Sequence, residues 1–260
     1  FWMFSSGELL ERARKTAEAV RAINYSPSAG NFLSMTLLSV FAIMLLPRQF
    51  HGSVVENSNN AEVDRAQVWQ VDTQTGAHKV YTTGLRNPTA LAIQPGTEVL
   101  WAVVNERDEL GPNLVPDYLT SVREGGFYGW PYSYWGQHVD PRVRPQNPQK
   151  VASALIPDYS LGSHVAALGL AFSTPAMGAP FVDGAFVGEH GSWNRKDPVG
   201  YKVVFVPFRG DKAGKPVNFI TGFVGPSPAD RNFGKAAYRP VDVAVGPEGD
   251  LYVADSNKGR

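Results

Sequence analysis

The chain has 260 residues, with 24 Lys and Arg balanced against 24 Asp and Glu, and no cysteine. That balance lacks the basic excess of a nucleic-acid binder, and the missing cysteines exclude disulfides, thiolate metal sites and a cysteine nucleophile. Its 26 glycines, 20 prolines and 12% aromatic residues describe a turn-rich β protein rather than a disordered chain.

Glycine and proline are sparse at first: residues 1–50 hold only Gly7, Pro27, Gly30 and Pro47. Glu8 to Ile23 has neither residue and repeats Leu9, Ala13, Ala17 and Val20 at helical spacing, which predicts a helix. Phe32 to Leu46 is a 15-residue run without a charge. It falls short of the roughly 20 residues of a membrane helix. It reads either as an internal hydrophobic helix or as a segment foreign to the rest of the chain. Residues 1–52 are therefore expected to form a helical, apolar N-terminal segment, and residues 53–260 a β domain.

From Val68 the pattern changes to short β segments between turn signals. Val68–Val71, the turn Asp72-Thr73-Gln74-Thr75-Gly76 and His78–Thr82 predict a hairpin. A local pattern then recurs. Leu91-Ala92-Ile93, Leu170-Ala171-Phe172 and Val243-Ala244-Val245 each precede a turn containing Pro, and then a second strand at 99–104, 185–188 and 251–254. The copies start 79 and 73 residues apart. Recurrent hairpins of this kind favour a β-propeller over a sandwich. Each interval exceeds one ordinary blade of about 40–50 residues, so it holds either one blade with long loops or nearly two blades.

Polar clusters sit beside these strands. Arg86-Asn87-Pro88 offers a guanidinium and an amide in a turn, suited to a carboxylate or quinone oxygen, and reads equally as a self-bonded turn with a solvated Arg86. Asn105 to Asn113, with Asp117 beyond, carries acids and then Gly111 and Pro112. It reads as a hard-cation loop or as a charged loop with one paired Arg. The aromatic stretch from Gly125 to Gly136 either stacks on a planar ligand or packs a loop onto the domain. In Glu189-His190-Gly191-Ser192-Trp193-Asn194-Arg195, the G-x-S-x-G pattern of a nucleophile elbow is absent. Tyr238-Arg239-Pro240 opens the third repeat as Arg86-Asn87-Pro88 opens the first, so both arginines are expected to converge on one anion.

In order, GLRNP (84–88), ALAIQPGTEVLWAVVNERDELGP (90–112), GGFYGWP (125–131), LGLAF (168–172), FVGEHGSWNR (186–195) and RPVDVAVGPEGDLYVAD (239–255) resemble the soluble pyrroloquinoline-quinone (PQQ)-dependent glucose/sorbosone dehydrogenases, most nearly the L-sorbosone dehydrogenases. The resemblance covers roughly residues 53–255. It implies an all-β fold, a partial six-bladed β-propeller in the periplasm, oxidising the C1 carbon of an aldose or related sugar and passing electrons to an acceptor. By position it implies PQQ contacts from Arg86, Asn87, Asn194, Arg195 and Arg239, and calcium held by the backbone carbonyls of Gly111 and Pro112. Asn194 stands where better-known members carry a Lys, and Val241 where they carry a second Arg.

The resemblance also implies an upstream Gly-Asn-His stretch whose histidine takes the substrate proton. The sequence has Gly30-Asn31-Phe32 instead, and no motif supports His51, His138 or His164 as a replacement. No catalytic residue is assigned, and impaired activity is expected, because general-base catalysis contributes roughly 10²–10⁴-fold. Two other readings stay open: a non-catalytic sugar- or cofactor-binding propeller, and a calcium-dependent sugar lactonase, which needs side-chain carboxylates converging on the metal.

Overall fold

The structure is a computed structural model that describes residues 65–225 and 236–256 in full, and residues 39–43 by their backbone. Among the described residues its strands run in chain order through four main antiparallel sheets and one two-stranded hairpin. The first contains β1 (Ser39–Ile43), β2 (Gln67–Asp72) and β3 (His78–Thr83), paired in that order. The second contains β4 (Pro88–Ile93), β5 (Leu100–Val104) and β6 (Pro116–Ser121). A small hairpin, β7 (Ser133–Tyr134) with β8 (His138–Val139), and the short helix α1 (Pro148–Ser153) intervene before β9 (Tyr159–Ser163) completes the sheet on β6. The third is β10 (Ala167–Phe172), β11 (Gly184–Glu189), β12 (Lys202–Arg209) and β13 (Lys212–Ala213), with β14 (Val217–Ile220) also paired to β12. The fourth is β15 (Pro240–Val245) with β16 (Leu251–Asp255).

The predicted hairpin is β2–β3. Its turn closes because Asp72 Oδ1 accepts from Gln74 N and Thr75 N at 2.8 and 3.0 Å, which fixes the reversal. The three repeated segments are β4, β10 and β15, each the first strand of its sheet. One interval therefore holds one blade with long loops. The extra length lies in the β6–β9 connection and in the strands added to β12.

Packing decides between propeller and sandwich. All of β5 is buried, and its alternate residues face two different cores. Leu100, Ala102 and Val104 meet Val68 and Tyr118, between the first and second sheets. Trp101 and Val103 meet Leu170, Val187 and Val204, between the second and third. The third sheet repeats the arrangement, turning Val204 and Val206 to one side and Phe186, Val203 and Phe205 toward Val243 and Leu251 of the fourth. Inner sheets buried on both faces are blades stacked side by side, whereas sandwich sheets would each present one face to water. Each large side chain so buried contributes about 1.5–3 kcal/mol. First strands adjoin across the stack. Thr89 Oγ1 donates to Ala167 O at 2.7 Å, and a Cβ on Gly169 would lie 2.8 Å from Asp242 Cα and Val243 N, so β10 meets β15 backbone to backbone.

Of the expected helical segment over 1–52, only Ser39–Ile43 is described, and it is strand β1, not helix. Its backbone pairs with β2 in the register Ser39 to Asp72 through Ile43 to Val68. An open strand edge recruits a run containing β-branched Val40 and Ile43 more readily than a helix does. The helix expected over Glu8–Ile23, the Gly30-Asn31-Phe32 stretch and His51 lie outside the described residues.

Candidate functional site

The loop after β5 starts inside the protein. Arg107 is 1% exposed, Glu106 1% and Asp140 0%. Arg107 Nε donates to Glu106 Oε2 at 3.1 Å and Nη1 to Asp140 Oδ2 at 3.0 Å, while Nη2 donates to Ser133 O at 2.8 Å. Arg142 donates to both oxygens of Asp140 and to Asp108 O at 3.0 Å. The first half of the charged loop is thus a buried ion network, in which Glu106 Oε1 alone of these carboxylate oxygens lacks a hydrogen-bond partner. It forces the second half, from Asp108, outward.

The aromatic stretch packs the loop, as one of its two readings requires. Tyr128 is 2% exposed. Trp130 also serves both arginines of the region: Arg86 Cζ lies 5.7 Å and Arg107 Cζ 4.5 Å from its ring centroid. Arg86 is not solvated. Its Nη1 donates to Glu106 O at 2.8 Å and Asn105 O at 3.3 Å. Burial lowers its pKa, opposed by the carboxylates of Glu106, Asp108 and Asp117. Asn87 contributes its backbone carbonyl, which accepts from Asn105 N at 2.9 Å.

Glu109, Gly111, Pro112, Trp193 and Asn194 line a cleft of 230 Å³. Its two walls are bonded together. Asn194 Nδ2 donates to Asp108 Oδ1 at 2.8 Å, and Arg195 Nη1 donates to Pro112 O at 2.9 Å. His164, 5% exposed, faces Asp108 Oδ1 through Nδ1 at 3.3 Å and Gly111 O through Nε2 at 3.0 Å. Asp108 belongs to the loop read as a possible hard-cation site, whereas His164 was not expected here. Asn194 Oδ1 is buried without a hydrogen-bond partner, and Trp193 is 47% exposed beside it.

The structure therefore unites Gly111, Pro112, Asn194 and Arg195 directly, and ties Arg86 to them through the carbonyl of Glu106, two residues before Asp108. Arg239 is placed differently. Its Nη2 donates to Gly191 O at 2.7 Å and its Nε to His190 O at 3.2 Å, and Cζ lies 5.5 Å from the Tyr201 ring. It supports the start of the loop whose far end carries Asn194. Ser192 is structural: its Oγ accepts from Val199 N at 3.0 Å.

Three non-glycine residues around the cleft adopt left-handed backbone, Glu109 (φ 71°), His164 (64°) and Ala166 (53°). Such residues cost roughly 1–3 kcal/mol each and persist where surrounding bonds fix them, often at functional sites. Two ionisable groups at the end of β11 are also perturbed. Burial pushes the Glu189 carboxyl up to about 7. Burial, with Arg239 nearby, pulls His190 down to about 4.

The residues present fit an acidic planar cofactor. The bonds of Arg86 and Arg195 use Nη1, which leaves Nη2 and Nε of each guanidinium to meet carboxylates, and Trp193 gives an aromatic face. A hard cation also finds suitable chemistry. The carbonyls of Gly111 and Pro112, the Glu109 carboxylate and the orphaned Asn194 Oδ1 are all oxygens, the donor type that calcium takes. The guanidinium of Arg195 rests on one of those carbonyls and must leave it before a cation can bind.

The family described as Glucose / Sorbosone dehydrogenase matches residues 47–190, and the TrAA12-like family matches residues 139–260. The aldose sugar dehydrogenase YliI of Escherichia coli is 27% identical over 190 residues, covering 72% of this chain and 44% of that protein. Solved structures share the fold. The Trichoderma reesei family AA12 protein, known in iodide and calcium forms, superposes with a TM-score of 0.64 at 20% identity, over 78% of this chain and 60% of that one. The holo PQQ domain of Coprinopsis cinerea pyranose dehydrogenase gives 0.62 at 21%, over 80% and 63%. The chain spans about half the length of the curated relatives it matches. With the Glucose / Sorbosone dehydrogenase match extending over more than half of its residues, the chain belongs to the glucose/sorbosone dehydrogenase family.

Proposed function

We propose that this chain serves a PQQ- and calcium-dependent oxidation of the C1 carbon of a sugar, an aldose or a sugar aldehyde such as sorbosone, to the lactone or acid, in the periplasm. The observation that carries the reading is the cleft where Gly111, Pro112, Asn194 and Arg195 meet, four of the residues that the motif order singles out. When bound, PQQ supplies a quinone that accepts hydride, and calcium supplies Lewis-acid polarisation.

The chain's own residues bind and orient. Arg195 and Arg86 offer guanidinium forks to the cofactor's carboxylates, and Asn194 is held in one rotamer by Asp108, with its carbonyl oxygen left without a partner. Trp193 covers a planar face and excludes water from it. Arg239 holds the backbone from which Asn194 projects.

The lactonase alternative needs a convergence of acids. Among the described residues no group of three or more His, Cys, Asp or Glu is arranged to hold a metal ion, which favours the carbonyl-rich reading. The test is titration of the full chain with PQQ and calcium, then sugar-dependent reduction of an artificial electron acceptor. Saturable PQQ binding is expected, with turnover that is measurable but weak because no general base is assigned. Lactone hydrolysis without PQQ would replace this reading with the alternative, and PQQ binding without turnover would leave a cofactor-binding propeller.

A further inference from the structure

The residues that meet at the cleft come from separate segments, and one side chain outside the cleft spans two of them. Asp117 lies in β6 and is 0% exposed. Its Oδ1 accepts from Glu106 N at 2.7 Å and its Oδ2 from Ala166 N at 2.7 Å. Glu106 is two residues before Asp108, and Ala166 two residues after His164. One planar carboxylate therefore fixes the separation between the stretch of chain carrying Asp108 and the stretch carrying His164.

The contacts downstream of each bond support a purpose beyond stability. Asp108 accepts from Asn194 and faces His164, and His164 reaches Gly111 O. Both spanned segments carry left-handed residues, Glu109 on one and His164 and Ala166 on the other. Local preference would relax these backbones, so an external tie has to hold them. The Ala166 carbonyl is held as well, by His190 N at 2.9 Å. The segment is thus fixed from the second blade through Asp117 and from the third through β11.

We infer that Asp117 is a positioning residue for the cofactor cleft: its two backbone bonds set the distance at which His164, Asp108 and Gly111 meet. The inference rests on the cofactor reading of that cleft. A carboxylate is required rather than an amide, because Asp117→Asn would aim an NH₂ group at one of two N–H donors.

The test compares the full chain, Asp117→Asn and Val204→Ala, the last a core change between the second and third blades that leaves both partners of Asp117 in place. Two properties are read: the NMR signals of the His164 imidazole, and calcium affinity by calorimetry with PQQ present. Asp117→Asn should shift the His164 signals and weaken calcium binding roughly 10–100-fold, the loss typical when support behind a ligand is removed. Val204→Ala should lower the melting temperature and move neither property. His164 signals that stay in place in Asp117→Asn, a calcium affinity that survives their movement, or an equal loss in Val204→Ala would overturn the inference. If the unmodified chain binds neither PQQ nor calcium, the cofactor reading fails by itself and the His164 signals still decide the positioning. If Asp117→Asn does not fold, amide exchange in the unmodified chain decides. Glu106 and Ala166 amides should be protected together, and free exchange at either defeats the tie.

Discussion

Asn194 Nδ2 and Asp108 Oδ1 lie 2.8 Å apart, and this bond joins the loop after β11 to the loop after β5 across the boundary between two blades. A hydrogen bond to a charged acceptor is worth about 1.5–3 kcal/mol. Asn194→Ala removes it together with the unpartnered Oδ1. PQQ affinity in the variant should fall by about tenfold or more, the equivalent of about 1.4 kcal/mol. Asn194→Asp should be worse, since it sets a second carboxylate against Asp108. Fluorescence titration with PQQ measures both, and an unchanged affinity in both variants would remove Asn194 from the site.

Arg195 should affect the two ligands in opposite directions. Its guanidinium occupies the Pro112 carbonyl at 2.9 Å, where a cation would have to bind, and it is also one of the donors offered to cofactor carboxylates. Arg195→Ala frees the carbonyl and removes a repelling positive charge. Calcium alone should bind more tightly to the variant and PQQ less tightly. Calorimetry with each ligand separately checks the signs. Weakening of both would mean that the Pro112 carbonyl is not part of a cation site.

Breaking the buried network beneath the loop should be costly. Arg107 has carboxylates of Glu106 and Asp140 at 3.1 and 3.0 Å, and all three residues are almost fully buried. Removing one partner strands charge in the interior, at a cost of about 3–5 kcal/mol. Arg107→Met, which keeps volume but not charge, should reduce the unfolding free energy measured in urea by that amount. A variant as stable as the parent would show that the network adds nothing beyond packing.

Much of this fold is legible in the sequence because its signals are local. The strands β4, β10 and β15 announce themselves as apolar-Ala-apolar triplets leading into turns containing Pro, and Asp72-Thr73-Gln74-Thr75-Gly76 encodes its own turn. The cleft is legible only in part. Gly111, Pro112, Asn194 and Arg195 stand in ordered motifs, so position alone brings them forward. His164 has no such context, and its place depends on a left-handed backbone and on partners 53 and 56 residues earlier. Asp117 is harder still. In sequence it stands only as one more acid beyond the candidate cation loop, and only the fold brings two backbone donors to it. Arg239 carries a local signal of another kind. Its turn repeats the pattern at Arg86, and in the structure each arginine holds carbonyls of a different loop.

Glu189 and His190 are adjacent and should give opposing responses to acid. Glu189 titrates from 4.5 when unfolded to about 7 when folded. Across that window the folded chain holds more proton, so stability falls as pH rises, by on the order of 3 kcal/mol in all. His190 moves the other way, from 6.5 to about 4. There the unfolded chain holds more proton, and stability falls as pH falls. The slopes oppose each other between 4.5 and 6.5. Glu189→Gln removes the first and leaves the second, so the variant should lose stability on acidification more steeply than the parent across that interval. Urea midpoints taken through the window test this, and a shallower acid limb in the variant would contradict it.

Gly191 is the position where the least addition should do most damage. Its φ is +102°, and a Cβ there would lie 2.3 Å from Cδ2 and 2.4 Å from Cε2 of Tyr201. The ring has little room to retreat. Tyr201 is 2% exposed, its hydroxyl donates to Ser192 O at 2.6 Å, and Arg239 lies against its face. Gly191→Ala therefore combines a disfavoured backbone with overpacking and should cost about 3 kcal/mol or more. The displaced ring would carry Ser192 with it, two residues before Asn194, so PQQ affinity should fall along with stability. A double-mutant cycle with Tyr201→Ala separates the two causes. Removing the ring relieves the overpacking and leaves the backbone cost, so the two substitutions together should destabilise by clearly less than their sum. If they add, the collision with Tyr201 is not what makes glycine necessary here.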